Sequence, residues 1–216
     1  MLARSTSTLG IRNHDPHPTK IGFSLPVEMT GSDPHVLWRA HIGTVMVLYS
    51  PGRTSTYPED PPSQGLRFHY LGGGDEVGNV GIVLEDSDGT RLLLDYGIAP
   101  TSPPRYPSEA PVVHDAVITH SHIDHLGMAP WLCAHHRTRL HGTIITSQLS
   151  DMMWRDCYKV SSIERYPLAW DKRDIDTALD SWYVHDFGIP WKHHAWDLTL
   201  HPAGHIPGAA MLHIQT

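Results

Sequence analysis

The stretch Thr119–Gly127, which spells THSHIDHLG, places three histidines and an aspartate within six consecutive positions. Neutral imidazole and carboxylate groups are nitrogen and oxygen ligands that suit zinc, with manganese or iron as alternatives. In a chain with 18 histidines among 216 residues, the pattern HxHxDH is expected by chance only about 0.01 times. The sequence therefore predicts a metal site here, in preference to a solvated histidine-rich loop.

The spacing within this stretch predicts how the side chains converge. His120 and His122 follow the apolar run Ala116–Ile118, and alternate side chains at the end of a strand point the same way. Asp124 and His125 are predicted to begin a helix, whose N-terminus favours a carboxylate. Four ligands in six residues are more than one tetrahedral ion can share, so we expect two metal ions about 3.5–4 Å apart.

The hydrophobic pattern around the motif predicts a mixed α and β fold. Strands paired by hairpins come first, and an alternation of strands and helices follows. The predicted strands are Leu66–Leu71, Val80–Leu84, Thr90–Asp95, Asp115–Thr119, Gly142–Thr146, Trp196–His201 and Ala209–Ile214. The predicted helices are Asp124–His136, Gln148–Val160 and Ile175–Trp182. The motif then lies at the carboxyl end of a buried strand, a usual place for a site in an α/β sheet.

The composition changes near residue 65. Residues 1–64 are rich in Pro, Ser and Thr and are predicted to be a poorly ordered extension with one strand in the apolar run Ile42–Tyr49. Residues 65–216 are predicted to form the folded domain. The formal net charge of −7 gives no sequence-wide basic field of the kind that drives nucleic-acid binding, so a polyanionic substrate would have to be held locally.

Cysteine content and hydropathy bear on the compartment. Cys133 and Cys157 are too few for a disulfide framework, and neither belongs to a CxxC pair. No apolar run approaches the ~20 residues that span a bilayer, and the first residues lack the apolar region of a signal peptide. We therefore expect a cytoplasmic protein without a membrane partner; the sequence does not predict an oligomeric state.

Four segments of the chain resemble one known family. The HxHxDH pattern of His120–His125 resembles the signature of the metallo-β-lactamase superfamily. The segments Leu71–Glu85 (LGGGDEVGNVGIVLE) and Leu92–Gly97 (LLLDYG) resemble the opening of its nuclease branch, the β-CASP ribonucleases and mRNA 3′-end processing factors. Pro202–Met211 (PAGHIPGAAM) resembles the third motif of that branch. The resemblance covers Leu66–Ile214 and includes no P-loop pattern.

This resemblance implies a fold, a reaction and further site residues. The fold would be a metallo-β-lactamase αββα sandwich, incomplete at its carboxyl end. The reaction would be metal-assisted hydrolysis of a phosphodiester, most simply RNA, at a dinuclear zinc site. Asp95 would orient the metal loop, and Asp124 would both bind metal and help to orient the nucleophile. The implied metal ligands are His120, His122, Asp124, His125 and His205.

The chain also departs from the family pattern. The superfamily completes its two-metal site with a bridging aspartate on a later strand, and the nuclease branch carries an inserted β-CASP domain. Neither has a counterpart before Thr216, so we expect the sequence to be an amino-terminal fragment of a longer enzyme.

Two alternatives to a ribonuclease stay open. One is a hydrolase of a small thioester, lactone or lactam, which the acidic charge favours and the glycine-rich and PAGHIPGAAM segments oppose. The other is a truncated remnant that binds metal but has no turnover. The sequence does not distinguish RNA from DNA, or endonuclease from exonuclease action.

Overall fold

A computed structural model describes residues 57–216 and two short strands before them. These strands, β1 (Trp38–His41) and β2 (Thr44–Val47), pair antiparallel with each other. Strand β2 falls inside the predicted strand region Ile42–Tyr49. The other residues before Tyr57 lie outside the described part, so the predicted poorly ordered extension and the domain boundary at residue 64 stay predictions.

A six-stranded mixed sheet forms the centre of the fold. In spatial order its strands are β3 (Leu66–Gly72), β4 (Gly81–Asp86), β5 (Arg91–Tyr96), β6 (Asp115–Val117), β7 (Arg139–Gly142) and β8 (Trp182–Val184). The first three pair antiparallel, and β5 to β8 are parallel. The carboxyl ends of the parallel strands therefore meet at one edge, which is the edge where the metal motif begins.

In the part of the chain that the structure describes, four helices cover one face of this sheet. They are α1 (Ile123–Leu126), α2 (Ala129–His136), α3 (Ile144–Glu164) and α4 (Lys172–Leu179). Alternation along the strands turns Val83 and Leu93 toward the helices, where they pack with Leu132, Trp154 and Ile175 in the larger hydrophobic core. None of the described helices has the length and apolar character needed to cross a membrane.

A second, three-stranded sheet packs on the opposite face. Its antiparallel strands, in chain order, are β9 (Trp191–His193), β10 (Trp196–Pro202) and β11 (Ala210–Gln215), with β10 in the middle. The neighbours of the helix-facing residues, Leu84 and Leu92, point this way and pack against Trp196, Leu198 and Leu200. The layers are thus helices, sheet and sheet, which confirms the predicted mixed α/β class.

The predicted helix Asp124–His136 is wrong as a single element. The structure has two helices, α1 and α2, separated by Gly127 and Met128. Pro130 lies in the first turn of α2, where its missing N–H does no harm. In a continuous helix the same proline would have interrupted the backbone hydrogen bonds, so the chain restarts the helix there.

The predicted strand Gly142–Thr146 is also wrong. Strand β7 ends at Gly142, and the Thr143 side chain accepts a hydrogen bond from the backbone N–H of Thr146 at the start of α3. The β-branched residues there have strand propensity, but the N-cap hydrogen bond favours the helix. Helix α4 likewise begins before the predicted Ile175, because Asp171 and Asp174 form a capping box.

Candidate metal centre

Three histidine side chains from the two sheets converge on one point. Nε2 of His120 lies 3.1 Å from Nδ1 of His122, and Nε2 of His205 lies 3.3 Å from that same Nδ1. One ligand nitrogen from each residue lies within 4.8 Å of the others, which makes this the single group of metal-binding geometry in the described residues. The structure thus brings together residues that are 83 positions apart in the chain.

The donor set and its spacing fit a metal ion of the zinc class. With Zn–N distances of about 2.0–2.1 Å, tetrahedral geometry separates neighbouring ligand nitrogens by about 3.3 Å. The His120–His122 and His122–His205 separations, 3.1 and 3.3 Å, are close to that value, and all three ligand nitrogens lie within 4.8 Å of one another. Burial, and next the charge of His125, lowers the pKa of His120 to about 4. His120 is therefore neutral near pH 7, as a metal ligand must be.

Asp124 and His125 lie beside the three-histidine group. The ring centroid of His125 is 4.0 Å from that of His120, and Nε2 of His125 is 3.8 Å from the Asp124 carboxylate. Both residues belong to α1, whose first turn carries the carboxylate as the sequence predicted. The structure therefore places the predicted second pair of ligands next to the first group, on the same edge of the central sheet.

Asp95 organises the motif from the end of β5. Its Oδ2 accepts hydrogen bonds at 2.8 Å from Nδ1 of His125 and from the hydroxyl of Thr119, and its Oδ1 accepts the Thr119 backbone N–H at 2.7 Å. The Thr119 hydroxyl also lies 3.0 Å from Nδ1 of His120. Because this hydroxyl donates to Asp95, it accepts from Nδ1–H of His120. Both rings then keep Nε2 free to bind metal.

The same contacts affect the protonation of His125. Burial lowers its pKa, but the hydrogen bond and charge of Asp95, and then the charge of Asp124, raise it, and the net direction is upward. Thr119 was not among the predicted site residues. Its position directly before His120, at the end of a buried strand, is the sequence signal that could have identified it.

Glycines allow the surrounding backbone to approach the motif closely. A Cβ atom on Gly97 would lie 1.7 Å from the carbonyl oxygen of Asp124. That carbonyl accepts the N–H of Val80 at 2.9 Å, which ties the end of the glycine-rich loop to α1. The loop itself uses positive φ angles, +76° at Gly73 and +90° at Gly78. These angles, which only glycine adopts without strain, form a tight turn beside the site.

His205 reaches the site from the turn between β10 and β11. The backbone N–H of Ala210 donates to the carbonyl oxygen of Thr119 at 2.9 Å, so the start of β11 is tied to the metal motif. His205 itself is exposed, whereas His120 is buried. The three-histidine group therefore has one solvent-exposed member, on the side of the β10–β11 turn.

No protein-family model matches the chain. Over 151 residues the chain is 30% identical to RNase aCSPSF2 of Saccharolobus solfataricus. The aligned region covers 68% of this chain and 30% of that protein. It is 32% identical over 162 residues to transcription termination factor FttA of a Lokiarchaeum species, covering 69% of this chain and 25% of that one. The chain thus spans less than a third of the length of these relatives.

A solved structure of an archaeal metallo-beta-lactamase superfamily protein from Sulfolobus tokodaii aligns with a TM-score of 0.46. The sequence identity is 14%, over 71% of this chain and 61% of that chain. The sequence relationship to the two archaeal proteins extends over 68% and 69% of this chain. The chain belongs to the metallo-β-lactamase superfamily, in the nuclease branch that contains the β-CASP ribonucleases.

Proposed function

We propose that the protein is a metal-dependent ribonuclease that hydrolyses a phosphodiester bond, with full activity in a longer form of the length of its relatives. The observation that carries the proposal is the convergence of His120, His122 and His205 in a chain that is 30% identical to an RNase. A group of three imidazoles with one solvent-exposed member suits metal-assisted hydrolysis better than a closed structural metal site does.

We further propose that the metal is zinc and that the complete enzyme holds two ions, with manganese or iron as alternatives. His120, His122 and His205 would hold one ion, and Asp124 with His125 would contribute to the other. Bound ions supply Lewis-acid stabilisation of the developing negative charge and lower the pKa of a water nucleophile toward neutrality. Zinc is favoured by the nitrogen-rich donor set and by nitrogen separations near 3.3 Å.

Asp124 is the residue we propose to orient the nucleophile. Its side chain is 30% exposed and lies 3.8 Å from Nε2 of His125, too far for a direct hydrogen bond. An oxygen of the Asp124 carboxylate can therefore accept a hydrogen bond from a water molecule. This hydrogen bond would align the water with the phosphorus atom. Asp95 takes no part in bond making; it holds the Nδ1–H of His125 and the hydroxyl of Thr119, which fixes the two imidazole rings.

RNA is the proposed substrate because two relatives carry RNA-processing names, an RNase and a cleavage and polyadenylation specificity factor subunit. The net charge of −7 provides no general attraction for a polyanion, so contacts near the three-histidine group would select it. Cytoplasmic location and a domain that begins near residue 65 remain predictions in this proposal.

The test is cleavage of single-stranded RNA by the full-length form, with and without a chelator. We expect His122→Ala and Asp124→Ala to abolish chelator-sensitive cleavage. His213→Ala is the matched control, since this exposed histidine lies on β11 away from the three-histidine group, and it should leave the rate unchanged. Full cleavage by the Asp124 and His122 variants would refute the assignment.

Residues 1–216 alone provide a separate measurement. Elemental analysis should find one bound ion or fewer, and RNA should remain intact, because the second proposed ion has only Asp124 and His125 as ligands. If the full-length form instead cleaves a thioester or lactone and leaves RNA intact, the metal site stands and the proposed substrate is wrong. If it binds metal without turnover of either, it is a non-catalytic protein.

A further inference from the structure

The turn that carries His205 is hydrogen-bonded to the first turn of helix α3. The hydroxyl oxygens of Thr143 and Thr146 lie 2.8 and 3.2 Å from the carbonyl oxygen of Gly208. Both threonines are buried, with 5% and 0% of their surface exposed. Two side chains of the helix layer therefore hold a single carbonyl of the second sheet, away from competing water.

Gly208 also fits tightly against the helix. Its φ is +82°, and a Cβ atom there would lie 2.8 Å from Cβ of Ile145 and 2.9 Å from the hydroxyl oxygen of Thr143. Ala209 N–H donates to the carbonyl of Ile206 at 3.0 Å, which closes the turn that immediately follows His205. The position of Gly208 thus determines where His205 can lie, three residues earlier.

Helix capping alone does not account for these two hydroxyl groups. The Thr143 hydroxyl accepts the backbone N–H of Thr146 at 3.2 Å, and this N-cap needs only an acceptor. The two hydroxyl oxygens also lie 3.0 Å apart, and whichever hydroxyl donates to the other, the remaining hydroxyl hydrogen is left for the Gly208 carbonyl. The Thr146 hydroxyl takes no part in the cap. The second set of bonds therefore has a consequence outside α3, namely the placement of the β10–β11 turn.

We propose that Thr143 and Thr146 are positioning residues that hold His205 at the metal centre; this inference rests on the proposed role of His205 as a metal ligand. His120 and His122 closely follow the buried strand β6, but His205 lies on an exposed turn. Without the two threonine hydroxyls, metal binding would have to order this turn. Fixing the turn in advance removes that entropic cost from binding. The two hydroxyls act through Gly208 and do not touch the metal.

The experiment measures Zn²⁺ affinity of the full chain by competition with a chromophoric chelator. Thr146→Val keeps the shape and the N-cap but removes one donor to Gly208, and we expect about tenfold weaker Zn²⁺ binding. Thr143→Val should weaken binding at least as much, whereas Thr143→Ser, which keeps the hydroxyl, should stay within about twofold of the parent protein. A Thr143→Ser affinity as low as that of Thr143→Val would contradict a role for the hydroxyl.

Thr138→Val is the matched control for loss of a buried hydroxyl. Thr138 is fully buried and donates to the carbonyl of Val113 at 2.7 Å, but neither residue belongs to the His205 turn. This variant should lose stability as Thr146→Val does and keep its Zn²⁺ affinity. If Thr146→Val and Thr138→Val bind Zn²⁺ with equal affinity, whether both match the parent protein or both are weaker, the positioning role is overturned.

A His205→Ala background separates this inference from the metal-site proposal. His205→Ala should itself weaken Zn²⁺ binding, and adding Thr146→Val should then have no further effect. If His205→Ala weakens binding but Thr146→Val still lowers it further, the threonines do not act through His205. If His205→Ala has no effect, His205 is not a metal ligand, and the proposed role of the threonines is wrong as well.

Hydrogen exchange of the metal-free protein gives a second readout. Thr146→Val should speed exchange in residues 203–210, and Thr138→Val should not.

Discussion

Nδ1 of His125 donates a hydrogen bond to Oδ2 of Asp95 at 2.8 Å, which joins α1 to the end of strand β5. Asp95 reaches this position with a φ of +54°, in the left-handed region that non-glycine residues rarely adopt. The same carboxylate accepts two hydrogen bonds from Thr119. One buried carboxylate thus sets the orientation of the metal loop before any metal binds.

Asp95→Asn should weaken Zn²⁺ binding by about 10- to 100-fold. Both carboxylate oxygens of Asp95 accept hydrogen bonds, whereas the amide nitrogen of asparagine is a donor, so at least one of the three hydrogen bonds would be lost. The measurement is the same chelator competition. Asp197→Asn is the control, since it removes the same charge from a half-buried residue whose ion pair, within the part of the chain that the structure describes, is with exposed Lys192 across the β9–β10 hairpin. Unchanged affinity in Asp95→Asn would mean that this network has no role in the site.

Zn²⁺ should stabilise the folded chain, because the three-histidine group forms only on folding. At a free concentration 100 times its Kd, one bound ion adds about 2.7 kcal/mol to the free energy of unfolding. Thermal unfolding with Zn²⁺, and after chelation, measures the shift. His120→Ala should remove most of it, and His114→Ala, an exposed residue before β6, should not. A shift that survives in His120→Ala would place the metal elsewhere.

Stability should fall as the pH drops from 6.5 toward 4, in part because of His136. Burial, followed by the charges of His135 and His114, lowers the pKa of His136 to about 4. Its Nδ1 is buried without a hydrogen-bond partner among the described residues. His136 takes up a proton near pH 6.5 in the unfolded chain but only near pH 4 in the folded chain. The free energy of unfolding therefore falls through this interval, and His136 causes no further loss below it.

His136→Phe tests this contribution, since phenylalanine keeps a planar ring beside Trp131 and cannot be protonated. The difference in unfolding free energy between pH 7 and pH 4.5, measured by denaturant titration, should be about 1–3 kcal/mol smaller in the variant. Equal pH dependence in the two proteins would be inconsistent with a neutral His136 in the folded chain.

Gly97→Ala should disrupt the metal loop. A Cβ atom at this position would meet the Asp124 carbonyl oxygen at 1.7 Å, so α1 or the end of β5 must move. We expect a loss of several kcal/mol in stability and a loss of Zn²⁺ binding. In the control Gly89→Ala, at a φ of +79° with nothing within 4 Å, only the backbone conformation is strained, at about 1 kcal/mol. Similar stability of the two variants would contradict the close approach.

Local sequence was sufficient for most of the strands and for the metal motif. Alternating or continuous apolar residues predicted β3, β4, β5, β6, β10 and β11 to within a few residues, because side-chain period and turn residues are local properties. The errors lie where one local preference opposes another. Thr143 follows a strand and precedes β-branched residues, yet its hydroxyl caps a 21-residue helix.

The sequence by itself indicated the class of chemistry, since imidazole and carboxylate groups at the spacing HxHxDH, directly after a strand, are typical of metal ligands. It also placed the chain in its superfamily through four short segments. The resemblance already implied His205 as a ligand, but only the tertiary structure brings it to 3.3 Å from His122, 83 residues away in the chain, and only the structure shows the contacts that Thr119, Thr143 and Thr146 make around the group. These contacts join different layers of the fold, and the packing of two sheets and a helix layer, which no local pattern records, brings them within hydrogen-bond distance.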